Sequence, residues 1–200
     1  MKEKKNKKQL FFATANKNKT AEVRQILGDH LQLLDLNDIE LNQELEENED
    51  TLEGNALSKA RQALQLTGIA ACIAEDTGLE VKALNGAPGV HSARYAGGNR
   101  SDANNIKKLL SELQDKEDRT ARFRTVIAYI DETDEFLFEG IVNGTIGTAP
   151  EGEGGFGYDP VFIPDGYNHS FGILSPEIKN EISHRGRAFQ SFFKWYRLRF

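Results

Sequence analysis

The sequence predicts an α/β domain with a mixed β-sheet, and three observations support this class. The chain has 200 residues and is 38% hydrophobic, which is enough to bury a substantial core. In the first third, short apolar runs alternate with segments of helical periodicity, as in strand–helix–strand units with parallel strands. Two later runs flank the polar residues 131–134 and are typical of an antiparallel hairpin. Parallel and antiparallel strands together make the sheet mixed.

The first third predicts three strands and two helices. Short apolar runs predict buried strands at 10–14, 31–36 and 69–74. Apolar residues at helical spacing predict helices at 19–27 and 55–66, and each helix precedes a glycine that is typical of a helix end. The order is therefore strand, helix, strand, helix, strand.

The remainder predicts an ordered loop, two helices and three further strands. A Gly-rich loop spans 84–99, and Ser101 is the expected N-cap of the helix that follows it. The hairpin strands, the short last strand and the final helix are predicted at 120–129, 135–142, 161–163 and 186–196.

Charge is distributed unevenly along the chain. The whole sequence carries a formal net charge of −6, but residues 1–9 hold five Lys and one Glu, so the rest carries −10. An acidic body argues against a nucleic-acid partner, which needs clustered Lys and Arg. The basic start could touch nucleic acid, but we expect residues 1–9 to be a frayed, solvated segment and 10–200 to form one domain.

Two classes of location are excluded by the sequence, and one is favoured. No apolar stretch approaches the ~20 residues of a membrane-spanning helix, so we expect no membrane association. The basic start leads into LFFATAN without a small-residue cleavage site, which argues against a secretory signal. Cys72 is the single cysteine, so an intramolecular disulfide and a Cys-based metal cage are ruled out and we expect a cytoplasmic protein.

Four polar patches interrupt the predicted elements, and the first lies between a strand and a helix. It consists of Thr14, Ala15, Asn16, Lys17, Asn18 and Lys19. Free backbone N–H groups, a helix dipole and a lysine at such a turn suit a phosphate. The pattern GxxxxGK[ST] is absent, so this is not a Walker loop. A plain capping loop, in which an asparagine holds the first backbone amides, fits the same residues.

The second patch is Glu75-Asp76-Thr77-Gly78, predicted to be a polar turn after the strand IAACIA. Ligands in open α/β sheets bind at the carboxyl ends of strands. A carboxylate there can hold Mg²⁺, or it can orient and deprotonate a water molecule. The alternative is an acidic turn in which Asp76 bonds its own backbone.

The third patch, residues 152–160, reads GEGGFGYDP. Its glycines let the backbone approach a ligand, while Phe156 and Tyr158 offer faces on which a purine can stack. Most Gly-rich loops are only turns, however.

The fourth patch, residues 179–187, holds the concentrated positive charge of the acidic body: Lys179, His184, Arg185 and Arg187. Donors at a helix entrance can bind an anion or the carbonyl of a base. The alternatives are a solvated helix face and a structural histidine.

Together the patches supply what a nucleoside triphosphate needs: a phosphate loop, metal-binding acids, stacking rings and cationic donors. Residues 35–53 contain nine Asp or Glu and no Lys or Arg, and they would oppose a polyphosphate. We therefore expect a divalent cation between the protein and such a ligand.

Five segments, in this order, resemble the inosine triphosphatase/HAM1 family of noncanonical purine nucleoside triphosphate pyrophosphatases. They read TANKNK, NALSKAR, AEDTGLEVKALNGAPGVHSARYAG, GGFGYDPVF and EIKNEISHRGRA. The resemblance implies two α/β lobes around an elongated central mixed sheet flanked by helices, a nucleotide-binding cleft between the lobes, and a homodimer. It also implies hydrolysis of ITP, dITP or XTP to the monophosphate and pyrophosphate with Mg²⁺.

The resemblance also implies roles for individual residues. Asp76 matches the catalytic proton acceptor and a metal ligand, and Glu47 matches the second metal ligand. The implied substrate-binding residues are Thr14, Ala15, Asn16, Lys17, Asn18, Lys19, Thr77, Phe156, Gly157, Tyr158, Asp159, Lys179, His184 and Arg185. The chain departs from the family pattern at Gly54, where an acid is usual, and Glu46 and Glu49 lie close to the Glu47 position.

Two other functions fit the same residues. A Maf-like nucleotide pyrophosphatase would share the architecture and act on other nucleotides, although the FGYDP and SHRG segments favour the inosine triphosphatase family. A nucleotide-binding module without hydrolysis is the second alternative. Asp76, Lys19 and Lys179 are all present, so the residues give no sign of lost catalysis.

Overall fold

The computed structural model describes residues 9–28, 31–41, 43, 45–98 and 100–200. The strands are β1 (Gln9–Phe12), β2 (Gln32–Asp35), β3 (Ala71–Val81), β4 (Pro88–Gly89), β5 (Thr120–Asp131), β6 (Glu135–Ile146) and β7 (Phe162–Pro164). The helices are α1 (Lys17–Leu27), α2 (Leu52–Thr67), α3 (Asp102–Glu112), α4 (Pro176–Ile182) and α5 (His184–Arg199). The predicted basic segment lies outside the described residues except for Gln9, which begins β1.

The strands form one mixed sheet, which confirms the predicted fold class. Its order is β2-β1-β3-β5-β6-β7, with β4 paired to β3 off this path. β1 runs parallel to β2 and β3, whereas β3, β5, β6 and β7 are antiparallel neighbours. The predicted hairpin is confirmed, and both of its strands are longer than predicted.

The long strand β3 is paired unequally on its two edges. β5 pairs with it over its whole length. On the other edge, β1 pairs with Cys72 and Ile73, and β4 pairs with Leu79 and Glu80. Residues 75–78 therefore lie in the gap between two short neighbours.

This pairing corrects the prediction for the second patch. Residues 75–78 are not a turn; they continue the strand, because β5 supplies a backbone partner at each of these positions. The alternative in which Asp76 closes an acidic turn is wrong for the same reason. Polar residues that usually mark the end of a strand lie in the middle of this one.

The two ends of β3 are buried in different parts of the core. Near its start, α2 covers one face of the sheet and α1 and α5 cover the other. Near its end, residues 79 and 81 pack with α3 and with the aromatic residues Phe123, Phe162 and Phe171. The polar middle of β3 lies between these apolar regions.

Other boundaries differ from the predictions in detail. The last strand begins at Phe162, because residues 159–161 form a short 3₁₀ turn. The predicted last helix begins at His184, and the short helix α4 precedes it, with Ser175 and Ser183 as the caps of α4 and α5. Within the described residues, no helix has the length and apolarity needed to cross a membrane.

Gly140 of β6 should be intolerant of substitution. A Cβ at this position would lie 2.1 Å from the carbonyl oxygen of His184 and 2.4 Å from the amide nitrogen of Ala188, so the start of α5 rests directly on the strand backbone. We expect Gly140→Ala to lower the free energy of unfolding by about 2 kcal/mol or more, measured by urea denaturation. Gly147→Ala is the matched control, because its Cβ would meet nothing closer than 3.5 Å. Equal stabilities for the two variants would contradict this packing.

Candidate active site

A cleft of about 640 Å³ opens beside the uncovered middle of β3. This volume lies within the range of small-molecule sites. The predicted site residues that line it are Thr14, Ala15, Asn16, Lys19, Glu47, Asp76, Thr77, Phe156, Gly157, Tyr158, Asp159, Lys179, His184 and Arg185. The side chains of Lys17 and Asn18 are exposed on α1, outside the cleft lining, so their contact with substrate stays a prediction.

The turn between β1 and α1 combines a capped helix start with a partly buried cation. The Oδ1 of Asn16 accepts hydrogen bonds from the backbone N–H groups of Asn18 at 3.0 Å and Lys19 at 3.2 Å. The Lys19 Nζ lies 3.2 Å from Glu75 Oε1. Burial lowers the pKa of Lys19 despite the opposing attraction of Glu75. The capping and the charged features predicted for this stretch are thus both present.

Asp76 and Glu47 share one lysine at the wall formed by α2. The Lys59 Nζ lies 2.6 Å from Glu47 Oε1 and 3.4 Å from Asp76 Oδ1. One turn earlier, Asn55 donates from Nδ2 to Asp76 Oδ2 at 3.0 Å. Burial opposes ionisation of Glu47, but the positive charge of Lys59, together with that of Lys19 and Arg100, outweighs it and lowers the pKa of Glu47 to about 2. Glu47 is therefore ionised at neutral pH and lies beside Asp76.

The structure distinguishes Glu47 from the acids near it. Glu46 and Glu49 are exposed and do not line the cleft, whereas Glu47 does. The Glu49 backbone N–H donates to Asn55 Oδ1 at 3.0 Å, which fixes the segment against α2. Gly54 leaves room for this approach, because a Cβ there would lie 2.8 Å from Glu49 Cβ.

The pair Asp76 and Glu47 is suited to holding Mg²⁺ together with a nucleotide. Among the described residues, no three acidic, His or Cys side chains form a metal-binding group, so the protein would supply two carboxylates. Mg²⁺ prefers oxygen ligands and is often held by one or two carboxylates, with water and substrate phosphates completing its shell. The donor set fits that mode of binding.

Glu75 points to the opposite face of β3 from Asp76, because side chains alternate along a strand. It is buried, and it accepts hydrogen bonds from Arg185 Nε at 3.0 Å and Nη2 at 2.9 Å. Burial opposes its ionisation, but Arg185 and Lys19 hold the pKa of Glu75 at about 2. An ionised carboxylate is thus fixed beneath the cleft.

Glu22 of α1 joins two cations of the fourth patch, Lys179 and Arg185. Its carboxylate contacts Lys179 Nζ and Arg185 Nη1. Lys179 Nζ also lies 2.6 Å from Oδ2 of the buried Asp159. Alternating charges therefore run without a break from Glu75 to Asp159.

This arrangement corrects one alternative for the fourth patch. Lys179, His184 and Arg185 are buried, so they do not form a solvated helix face; Arg187 is exposed. They are buried where the short helix α4 meets the start of α5, and Ser183 ends the first helix and caps the second.

The two rings of the third patch have different environments. Phe156 is half-buried, with Lys179 Nζ at 4.9 Å and Arg185 Cζ at 5.4 Å from the centre of its ring. Tyr158 is buried, and its hydroxyl donates to the carbonyl oxygen of Ser92 at 2.9 Å. Tyr158 therefore anchors the loop, and stacking of a purine on either ring stays a prediction.

His184 is a neutral, buried side chain at the start of α5. Its ring stacks on Phe123 with the centroids 4.5 Å apart. Within the part of the chain that the structure describes, its Nδ1 is the buried side-chain polar atom without a hydrogen-bond partner. Burial, together with the positive Arg185 and Lys179, lowers the pKa of His184 well below its ordinary value. A neutral imidazole offers one donor and one acceptor nitrogen.

Several residues of the site were not predicted from the sequence. Asn55, Lys59 and Glu22 hold the acids and cations described above, and Asp102 Oδ2 accepts a hydrogen bond from the Gly157 N–H at 2.7 Å. A usable signal existed for the first pair: Asn55 and Lys59 are four residues apart and interrupt the alanine-rich buried face of α2. Glu22 and Asp102 had no such signal, because acids on exposed helix faces are common.

The chain is similar to proteins that are already known. A family model described as the Ham1 family matches residues 10–195. A Flavobacterium psychrophilum protein named dITP/XTP pyrophosphatase is 46% identical over 189 residues, which cover 94% of this chain and 99% of that protein. A Porphyromonas gingivalis protein of the same name is 49% identical over 180 residues, covering 90% of this chain and 92% of that protein.

A solved structure gives the same result. The Staphylococcus aureus Ham1 protein aligns with a TM-score of 0.85 at 36% identity, over 96% of this chain and 100% of that chain. The family expected from the sequence motifs is thereby confirmed. The chain belongs to the Ham1 family.

Proposed function

We propose that this protein hydrolyses the noncanonical purine nucleoside triphosphates ITP, dITP and XTP to the monophosphate and pyrophosphate, and so cleanses the nucleotide pool. The observation that carries the proposal is that Asp76 and Glu47 both contact Lys59 in a cleft that Lys19 also lines. Phosphoryl transfer needs acids for a metal and cations for the phosphates. The names of the two similar proteins support the same reaction.

The triphosphate would be bound at the start of α1. Lys19 and the helix N-terminus supply positive charge there, and Asn16 fixes the shape of the turn. Asp76 and Glu47 would hold Mg²⁺, which when bound neutralises phosphate charge and polarises the reacting phosphorus. In this arrangement the cation lies between the two acids and the negatively charged phosphates, so the acids favour binding of the ligand.

Asp76 would orient the attacking water and accept its proton. The water oxygen forms the new bond to the α-phosphorus, the bond from that phosphorus to the α–β bridging oxygen breaks, and pyrophosphate leaves. Asn55 and Lys59 each hold one oxygen of the carboxylate, so its orientation is fixed before substrate binds. Lys19 stabilises the negative charge that develops on the leaving group.

The base would be recognised by the neutral imidazole of His184 together with Arg185. A 6-keto purine carries an acceptor at O6 and a donor at N1, whereas adenine carries a donor and an acceptor at these positions. A buried site with matching groups leaves them unpaired when adenine is bound, and such a mismatch can discriminate by roughly 10⁴-fold. Phe156 supplies a partly exposed ring beside them.

A homodimer and a cytoplasmic location complete the proposal. The family resemblance implies the dimer. The single cysteine, Cys72, is free and buried, which suits a reducing compartment.

A substrate panel tests the activity. With Mg²⁺, pyrophosphate release should be fastest from ITP, dITP and XTP and at least 10³-fold slower from ATP, because adenine mismatches the donors and acceptors of the site. Equal kcat/KM for ITP and ATP would contradict the base recognition. Preference for other nucleotides would favour a Maf-like enzyme, and ITP binding without product would favour a binding module.

Asp76→Asn should abolish most turnover while the fold is retained. The amide is nearly the same size as the carboxylate but cannot take the proton of the water, so we expect kcat for ITP to fall by about 10²–10⁴-fold. Circular dichroism and thermal unfolding check the fold. Asp115→Asn, an exposed acid-to-amide change after α3, is the control and should retain full activity. An Asp76→Asn enzyme with most of its activity would require another base.

The alkaline side of the pH profile should report Lys19. Its pKa is below the ordinary 10.5 because of burial, and a lysine loses its charge as pH rises through its pKa. KM for ITP should therefore rise at alkaline pH. Arginine keeps its charge over this range, so Lys19→Arg should shift the rise to higher pH. Both enzymes meet the same substrate, so ionisation of the base affects them alike, and identical profiles would contradict this role.

A further inference from the structure

The buried cations of the cleft are already held between acids. Arg185 contacts Glu75 and Glu22, and Lys179 contacts Glu22 and Asp159, and none of these acids is a proposed metal ligand. Such cations cannot turn toward a new anion without leaving a buried carboxylate uncompensated, which is costly. A triphosphate of about four negative charges therefore needs further positive charge that can move.

Arg100, on the loop before α3, has the required position. It lines the same cleft, and its Nη2 lies 3.3 Å from Glu47 Oε2. Its side chain is 48% exposed, compared with 5% for Lys179 and 2% for Arg185. The guanidinium can therefore reorient within solvent at the cleft mouth at little desolvation cost.

We propose that Arg100 is a phosphate-binding residue that leaves Glu47 when the metal–nucleotide complex binds. The inference rests on the proposed function, because it needs the acid pair to hold a divalent cation. A cation on Glu47 and Asp76 neutralises the carboxylate that attracts Arg100. At the same time, the polyphosphate presents new oxygens beside it, and a guanidinium binds phosphate oxygens in a bidentate manner.

The exchange predicts two effects of opposite sign. In the nucleotide-free protein, Arg100 competes with a metal for Glu47, so its removal should leave metal binding unchanged or tighter. With the metal present, Arg100 contacts the phosphates, so its removal should weaken their binding. Damage to the fold would weaken both.

The test measures both affinities in Arg100→Gln. Calorimetry with Mg²⁺ and imidotriphosphate, an inorganic triphosphate whose P–N–P bridges resist hydrolysis, gives the phosphate affinity; we expect it to fall about tenfold. Mn²⁺ titration followed by electron paramagnetic resonance, without phosphate, gives the metal affinity; we expect it to equal or exceed that of the wild type. Arg100→Lys keeps the charge and should stay within about threefold of wild type for phosphate.

Arg122→Gln is the matched control. Arg122 is also 48% exposed and ion-paired, with Glu80 at 2.6 Å, but it lies outside the cleft lining, so both affinities should be unchanged. An Arg100→Gln protein that binds imidotriphosphate within twofold of wild type, or that loses Mn²⁺ affinity by the same factor, overturns the inference. So does an Arg100→Lys protein as weak as Arg100→Gln.

Failure of the proposed function would look different. In that case the wild type itself would release no pyrophosphate from ITP, whatever the behaviour of the Arg100 variants. If the wild type hydrolyses ITP but Arg100→Gln binds imidotriphosphate as tightly as the wild type, only the proposed role of Arg100 is wrong.

Discussion

The unequal pairing of β3 is the constraint on which the site depends. β5 holds the strand along its full length, while β1 and β4 cover only the two ends of the other edge. The gap between them opens Asp76 and Thr77 to a cleft without breaking the strand. Because side chains alternate along a strand, the adjacent Glu75 and Asp76 face opposite sides of the sheet. One strand thereby serves both the structural ion pairs and the proposed chemistry.

Each of these acids needs a cation as a close partner, and the resulting ion pairs connect the elements around the cleft. Burying an isolated ion costs several kcal/mol, so buried charges persist only with close partners. Glu75 forms ion pairs with Arg185 of α5 and Lys19 of α1. Glu22 forms ion pairs with Arg185 and with Lys179 of α4. The ion pairs that hold these helices against the sheet therefore involve the same residues that would bind substrate. Packing and electrostatics place the same side chains.

Much of this organisation could be predicted from the chain. Apolar runs and helical spacing located the strands other than β4 and most helices, and motifs identified the Ham1 family. The errors fell where local pattern and tertiary context disagree. Polar residues 75–78 are typical of a turn, yet full-length pairing with β5 makes them strand. The positive run 179–187 is typical of a solvated helix, yet Lys179 and Arg185 are buried because acids from α1 and β3 meet them.

The sequence by itself determined the α/β class, the order of the elements and the residue types available for a polyphosphate, because these depend on periodicity and composition along the chain. Tertiary structure alone decided which charges pair. Lys59 between Glu47 and Asp76, and Glu22 between Lys179 and Arg185, join residues far apart in sequence. The spacing of residues along a helix or strand indicates only the face on which a residue lies and its near neighbours on the same element. Which distant acid meets which cation depends on how the elements pack around the gap in β3.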